Sequence, residues 1–144
     1  MATKIFVNLP VKNLQQSMDF FSKLGFTFNP QFTDDTAACM IISEDIFSML
    51  LTHEKFQEFL PEGNTIADAS VSEVLTCLSR DSREKVNEFA DTAIKAGGKE
   101  VREAKDYGFM YTRSVRDLDG HVWELIWMDP AFINSPENAA AAGN

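Results

Sequence analysis

The stretch 109–128, FMYTRSVRDLDGHVWELIWM, holds two strand-forming runs around the turn-prone tetrapeptide Asp117-Leu118-Asp119-Gly120. Residues 109–116 and 121–128 are therefore predicted to form a β-hairpin. An amphipathic helix predicted over residues 81–96 and ended by Gly97-Gly98 precedes it, with strand-like runs at 73–79 and 99–104 on either side of that helix. The segment from 73 to 128 thus predicts a βαβββ module.

The same order of elements occurs in the N-terminal half. A strand-like run at 5–11 leads into an amphipathic helix at 13–24, Gly25 ends it, and strand-like runs follow at 25–28, 36–43 and 46–52. Two copies of one unit imply a cavity built between them, where function is expected. We predict one domain over 1–130, because each half alone would bury too little apolar surface. Its parts are module one at 3–60, a linker at 61–70 and module two at 71–130, with a solvated tail at 131–144.

Charge and cysteine usage narrow the classes of partner. The formal net charge of −9 would repel a nucleic acid backbone or an anionic membrane surface, so neither is expected as a partner. The first residues lack a secretory pattern and no apolar run is long enough to cross a bilayer, which favours the cytoplasm. Cys39 and Cys77 lie in strand-like runs without metal-type spacing and are predicted to be buried thiols in a reducing compartment.

Two motifs resemble a known family. Residues 11–21, VKNLQQSMDFF, with the following Leu24-Gly25-Phe26, resemble the first-helix signature of the glyoxalase/bleomycin-resistance/dioxygenase (vicinal oxygen chelate) superfamily, and residues 117–125, DLDGHVWEL, resemble its closing hairpin. The resemblance implies an α+β fold in which paired βαβββ modules form a curved mixed β-sheet cup with helices on the outer face. The group most similar to this chain is the one called predicted lactoylglutathione lyase-like, a label that describes ancestry more safely than activity.

The family's cup commonly holds a divalent metal bound by side chains from four strands. The ligand positions that the resemblance implies fall at Phe6, Leu50, Leu75 and Glu124. Only the carboxylate among them can bind a metal, and one carboxylate does not make a site. A register shifted by two residues would offer Asn8, Thr52 and Cys77 instead, which is still a poor ligand set for a divalent ion. We therefore expect no metal and no other cofactor.

Glu124 has two interpretations that the residues leave open. It is either an inherited carboxylate paired with a basic neighbour, for which Arg113 on the hairpin's other strand is the natural partner, or a catalytic base or hydrogen-bond acceptor for a ligand's amine or hydroxyl group. Tyr111 and Arg113 could close over the cup, although half-buried strand positions would look the same. Trp123 and Trp127 share the parity of Leu125 and are predicted to be core residues.

Three functions remain open from the sequence. The first is a metal-free protein that binds a small molecule in an apolar cup, and the alternative is a metal-dependent lyase, isomerase or extradiol-type dioxygenase. A third is a degenerate domain acting through oligomer contacts, and a homodimer is expected because family members often pair. Whether the cup closes within one chain or across a dimer is left open. The residues predicted to bind the ligand are Phe6, Asn8, Leu50, Leu75, Cys77, Tyr111, Arg113 and Glu124.

Overall fold

The computed structural model describes residues 2–133 and confirms the two predicted βαβββ modules. The described residues divide into two compact units: unit 1 runs to Glu73 and includes the turn Leu118–Gly120, and unit 2 comprises Val74–Asp117 and the described residues from His121 onward. Each unit contains one four-stranded mixed sheet. Most of the predicted tail, residues 134–144, lies outside the described residues, as does the side chain of Ile133.

Unit 1 follows the predicted βαβββ order and ends with a short helix. Its elements are β1 (Ile5–Val11), α1 (Leu14–Lys23), β2 (Thr27–Asn29), β3 (Ala37–Ile41), β4 (Ile46–Thr52) and α2 (His53–Phe59). The sheet order is β1-β4-β3-β2, with β1 parallel to β4 and the other neighbours antiparallel. The hydrogen-bonded strands thus bring the first and last strands of the unit side by side.

The limits of α1 follow from its sequence. The side chain of Asn13 caps the N-terminus by accepting a hydrogen bond from the backbone N–H of Gln16. At the other end Gly25 adopts a φ of 97°, and the N–H groups of Gly25 and Phe26 bond to the carbonyls of Ser22 and Phe21. This is the Schellman arrangement that ends a helix, so the predicted stop at Gly25 is confirmed.

Unit 2 repeats the pattern and ends with a short helix. Its elements are β5 (Leu75–Ser79), α3 (Arg83–Lys95), β6 (Lys99–Asp106), β7 (Met110–Arg116), β8 (Val122–Met128) and α4 (Pro130–Ile133). The sheet order is β5-β8-β7-β6, with β5 parallel to β8. β6 is longer than the predicted strand at 99–104, and its pairing with β7 contains two register shifts. In the described residues, no helix combines the length and hydrophobicity that spanning a membrane requires.

Each sheet has a helix face, which packs against α1 or α3, and a second face, which points away from that helix. The cores lie on the helix faces, where the apolar residues of the strands meet the predicted apolar stripes of the helices. The fully or nearly fully buried residues of the helix faces and helices are Leu9, Val11, Ala38, Met40, Leu50, Phe20 and Phe21 in unit 1, and Trp123, Leu125, Val115, Val86, Phe89, Ala90 and Ala93 in unit 2. Because successive side chains of a strand point to opposite faces, the strand residues between these core positions lie on the second faces, where they can contact a ligand.

Candidate functional site

The second face of the unit 1 sheet is apolar and aromatic. The register of the parallel strands places Phe6 beside Phe47 and Asn8 beside Met49. The Phe6 and Phe47 rings stack with centroids 4.7 Å apart and planes 11° from parallel, and Phe6 is 48% exposed. Half-exposed stacked aromatic rings offer a flat apolar surface to a ligand.

A cavity of about 480 Å³ lies on this same face, where α2 crosses β1 and β4. Its lining residues are Asn8, Leu51, Phe56, Phe59 and Leu60. The fold positions the helix because Thr52, the last residue of β4, caps α2 by accepting a hydrogen bond from the N–H of Lys55. Leu51 forms a buried floor, with 3% of its surface exposed, whereas Phe59 is 70% exposed at the rim.

Sequence reasoning found one of these five lining residues. Asn8 was predicted to bind the ligand and does line the cavity. The others were missed because α2 carries no catalytic motif, although Phe56, Phe59 and Leu60 have the i, i+3, i+4 spacing of one helix face. An apolar face on a helix too short to form a core of its own is the signal that could have found them.

The placement of Leu50 beside Phe6 was wrong. Leu50 pairs with Leu9 and is fully buried on the helix face, where it packs under α1 rather than in a site. Phe6 lies on the second face, in register with Phe47. The error is one residue of strand register, which moves a side chain from one face of a sheet to the other.

In unit 2, four polar side chains form a row across the second face. Cys77 of β5 pairs with Glu124 of β8, Glu124 pairs with Ser114 of β7, and Ser114 pairs with Arg102 of β6. An Arg102 guanidinium nitrogen (Nη2) donates a hydrogen bond to Glu124 Oε2 at 2.7 Å, and the Glu124 side chain is 22% exposed. We call these four residues the polar row. Glu124 is therefore paired with a cation.

The predicted partner of Glu124 was wrong, because Arg113 lies on the helix face. It pairs with Leu125 in the hairpin and donates hydrogen bonds to Asp91 of α3 at 2.8 Å and to Glu100 of β6 at 3.4 Å. Tyr111 is on the same face, where its hydroxyl donates to Asn87 Oδ1 at 2.7 Å. Both predicted ligand-binding residues thus hold α3 to the sheet.

The remaining predicted residues of unit 2 share the second face. Leu75 pairs with Val122 and is 56% exposed, and Cys77 follows two residues later beside Glu124. Cys39 is buried as predicted, but the prediction that Cys77 is buried was wrong. Desolvation, and then the negative charge of Glu124, raises the pKa of the Cys77 thiol. A raised pKa keeps this thiol protonated near neutral pH and makes it a poor nucleophile.

The residues present do not fit the divalent metal of the family's cup. Phe6 and Leu75 have no donor atom, Leu50 is buried on the other face, and Glu124 is already bonded to Arg102. Within residues 2–133 no group of three or more His, Cys, Asp or Glu side chains is placed to hold a metal ion. The described side chains therefore do not form a site for that metal.

The coupling of Cys77 to Glu124 gives a measurable prediction. Glu124→Gln removes a negative charge that raises the thiol pKa, so a larger fraction of Cys77 is expected to be thiolate at pH 7.5. Alkylation by iodoacetamide, followed by mass spectrometry, should become faster in this variant. Glu100→Gln, on the helix face, is the matched control and should leave the rate unchanged. An unchanged rate in Glu124→Gln would show that the two side chains are not coupled.

The two βαβββ units, each with a four-stranded mixed sheet, define the class of protein. The model of the Glyoxalase/Bleomycin resistance protein/Dioxygenase superfamily matches residues 5–125. The chain belongs to this superfamily, which confirms the resemblance seen in its two motifs. No curated protein matches the chain in sequence.

Solved structures agree with this assignment. A hypothetical protein, SA1046, from S. aureus superposes with a TM-score of 0.74 at 26% identity, over 88% of this chain and 95% of that chain. A glyoxalase/bleomycin resistance protein/dioxygenase family enzyme from Burkholderia phytofirmans PsJN gives 0.73 at 15% identity, over 88% and 99%. A lactoylglutathione lyase from Agrobacterium tumefaciens gives 0.63 at 12% identity, over 88% and 94%. The last two likenesses concern the fold alone.

Proposed function

We propose that this protein binds a small, mainly apolar molecule in the cavity of unit 1, without the divalent metal found elsewhere in its superfamily. The observation that carries the proposal is the cavity beside α2, with a volume of about 480 Å³. Ligand pockets in proteins generally measure about 300–1,000 Å³ and combine apolar walls with a few polar groups. This cavity has both properties.

The chemistry of the lining supports an aromatic or aliphatic ligand with one polar group. Four of the five lining side chains are apolar, and Asn8 is the polar exception. The Asn8 side-chain amide donates a long hydrogen bond of 3.4 Å to the carbonyl of Phe6, two residues earlier, so it can donate to and accept from a ligand instead. The Phe6–Phe47 stack continues the apolar face along the same two strands.

The metal-dependent alternative has less support from the side chains. A lyase, isomerase or dioxygenase of the superfamily would use a metal to polarise substrate oxygens, which needs several carboxylate or imidazole ligands. Phe6 and Leu75 cannot supply them, and Arg102 neutralises Glu124. The proposal therefore includes affinity that does not depend on metal.

Removing the exposed wall of the cavity tests the binding site. Phe59→Ser is expected to weaken binding of 2-naphthol about fivefold, because the ligand loses the apolar contact of one ring. Phe59 is 70% exposed, so the change should cost little stability. Phe32→Ser is the matched control, since Phe32 is 59% exposed and does not line the cavity. Dissociation constants would be measured by protein-observed NMR titration, with and without EDTA.

Asn8→Leu separates the polar contact from the apolar ones. It should weaken 2-naphthol but not naphthalene, which has no group to hydrogen-bond. Equal effects of Phe59→Ser and Phe32→Ser would contradict the proposed location. About one retained metal ion per chain by plasma mass spectrometry, lost on Glu124→Gln, would contradict the metal-free part and favour the enzyme.

A further inference from the structure

Basic residues recur at every third position along β6, at Lys99, Arg102 and Lys105. In a regular strand a spacing of three would place them alternately on opposite faces. The pairing with β7 places them on one face. Their partners are Arg116, Ser114 and Thr112, which are two residues apart and therefore lie on the same face of β7. Register shifts between Glu100 and Arg102 and between Arg102 and Lys105 each add a residue, as a β-bulge does.

All three basic side chains of β6 therefore lie on the second face of unit 2. Arg116 of β7 shares that face, and we call Lys99, Arg102, Lys105 and Arg116 the basic row. Glu124 is the carboxylate that the strand pairing places there, whereas Glu100 and Asp106 pair with Val115 and Tyr111 of the helix face and Glu103 lies in the second bulge without a paired residue. Four of the chain's 13 basic residues are thus gathered on one sheet face of a protein whose net charge is −9.

A buried hydroxyl lies at the centre of this face. Ser114 is 0% exposed, and its Oγ makes no hydrogen bond within the described residues. It stands in register between Arg102 and Glu124. Buried polar atoms are almost always hydrogen-bonded, and one that is not is free to bond a water, an ion or a ligand atom. A ligand atom placed between these two side chains would supply that bond.

We propose that the basic row and Ser114 form a binding site for a small oxyanion, the carboxylate or phosphate group of a metabolite. Arg102 offers guanidinium N–H donors, the Ser114 hydroxyl becomes available as a donor when Glu124 is displaced, and Lys99 and Lys105 add positive charge on either side. The site is in unit 2 and does not depend on the cavity of unit 1. Polyanions such as nucleic acids are excluded by the net charge of −9, which repels them beyond this face.

Glu124 acts in this site as an internal competitor. It holds Arg102 at 2.7 Å in the free protein, so an incoming oxyanion has to share or displace that carboxylate. Removing the competing charge should then strengthen anion binding. This sign distinguishes a binding site from a purely structural ion pair, and also from Lys-rich protection of the β6 edge against pairing with other strands.

Citrate and inorganic phosphate, titrated separately by calorimetry at low ionic strength, test the proposal. Glu124→Gln should lower the dissociation constant about fivefold, and Arg102→Gln should raise it about tenfold. Ser114→Ala should raise it about threefold through loss of one hydrogen bond. Lys95→Gln, a basic residue in the last turn of α3, is the matched control and should change it less than about twofold. The stronger of the two probes identifies the oxyanion class.

Three results would overturn the proposal. One is weaker or unchanged binding in Glu124→Gln, and this variant remains decisive even if Arg102→Gln fails to fold. Another is an equal loss of anion affinity in Arg102→Gln and Lys95→Gln. That result would mean that the anion is attracted by positive charges spread over the surface and not by a defined site. The third is no binding of either probe to any variant together with aggregation of Arg102→Gln, which would assign the basic row to edge protection.

Discussion

Gly98→Ala is expected to lower the free energy of unfolding by about 3 kcal/mol or more. A Cβ at this position would lie 2.5 Å from the carbonyl oxygen of Arg116 and 2.9 Å from that of Ala93. Both are backbone atoms, and the Ala93 carbonyl also accepts the N–H of Gly98 at 2.8 Å. Neither carbonyl oxygen can move away from the added Cβ without disturbing the end of α3 or its contact with β7. Urea denaturation followed by circular dichroism would measure the loss.

Gly63→Ala is the matched control for this substitution. Gly63 has a φ of 85°, but an added Cβ would meet nothing within 4 Å. Its cost should be limited to the backbone preference of glycine in that conformation, about 1 kcal/mol. Equal losses in the two variants would show that the close approach of Arg116 and Ala93 is relieved at no cost.

The double βαβββ pattern could be predicted from the sequence because it depends on local signals. Gly25 and Gly97-Gly98 mark the ends of α1 and α3, and the N–H groups of Gly97 and Gly98 do bond back to Ile94 and Ala93. Apolar residues that recur about every 3.6 positions in the helices and every second position in the strands predicted the core residues. Trp123 is one of them, and it is 1% exposed. These features need no knowledge of which strand pairs with which.

The candidate site could be predicted only in part, because it depends on strand register. Leu50 and Arg113 were each assigned to the wrong face of their sheet. Each error corresponds to a shift of one residue along the strand, because successive side chains point to opposite faces. Arg102 was missed as the partner of Glu124 because two bulges in β6 change which residues share a face. Bulges leave no mark in a period-2 pattern, so the basic row is visible only in the structure.

Asp117→Ala is expected to cost about 2–4 kcal/mol of unfolding free energy, because it removes a buried acceptor from the β7–β8 turn. Asp117 is 6% exposed, its Oδ1 accepts the backbone N–H of His121 at 3.0 Å, and its Oδ2 accepts the indole N–H of Trp123 at 3.0 Å. Truncation takes this acceptor from a donor on a side chain that is only 1% exposed. Thermal and urea unfolding would measure the loss, and Trp fluorescence would report the change around the indole.

Two further variants, Asp117→Asn and Asp68→Ala, serve as an intermediate change and a surface control for this prediction. The asparagine keeps one oxygen for His121 but places an amide N–H₂ against the Trp123 indole donor, so an intermediate loss of about 1–2 kcal/mol is expected. Asp68 also accepts two hydrogen bonds, both from Ser70, but on the surface, and its removal should change stability little. If Asp117→Ala cost no more than Asp68→Ala, the buried bond to Trp123 would contribute nothing to the fold. The stability of the hairpin would then depend on its β7–β8 backbone hydrogen bonds and on the apolar packing of Trp123 and Leu125.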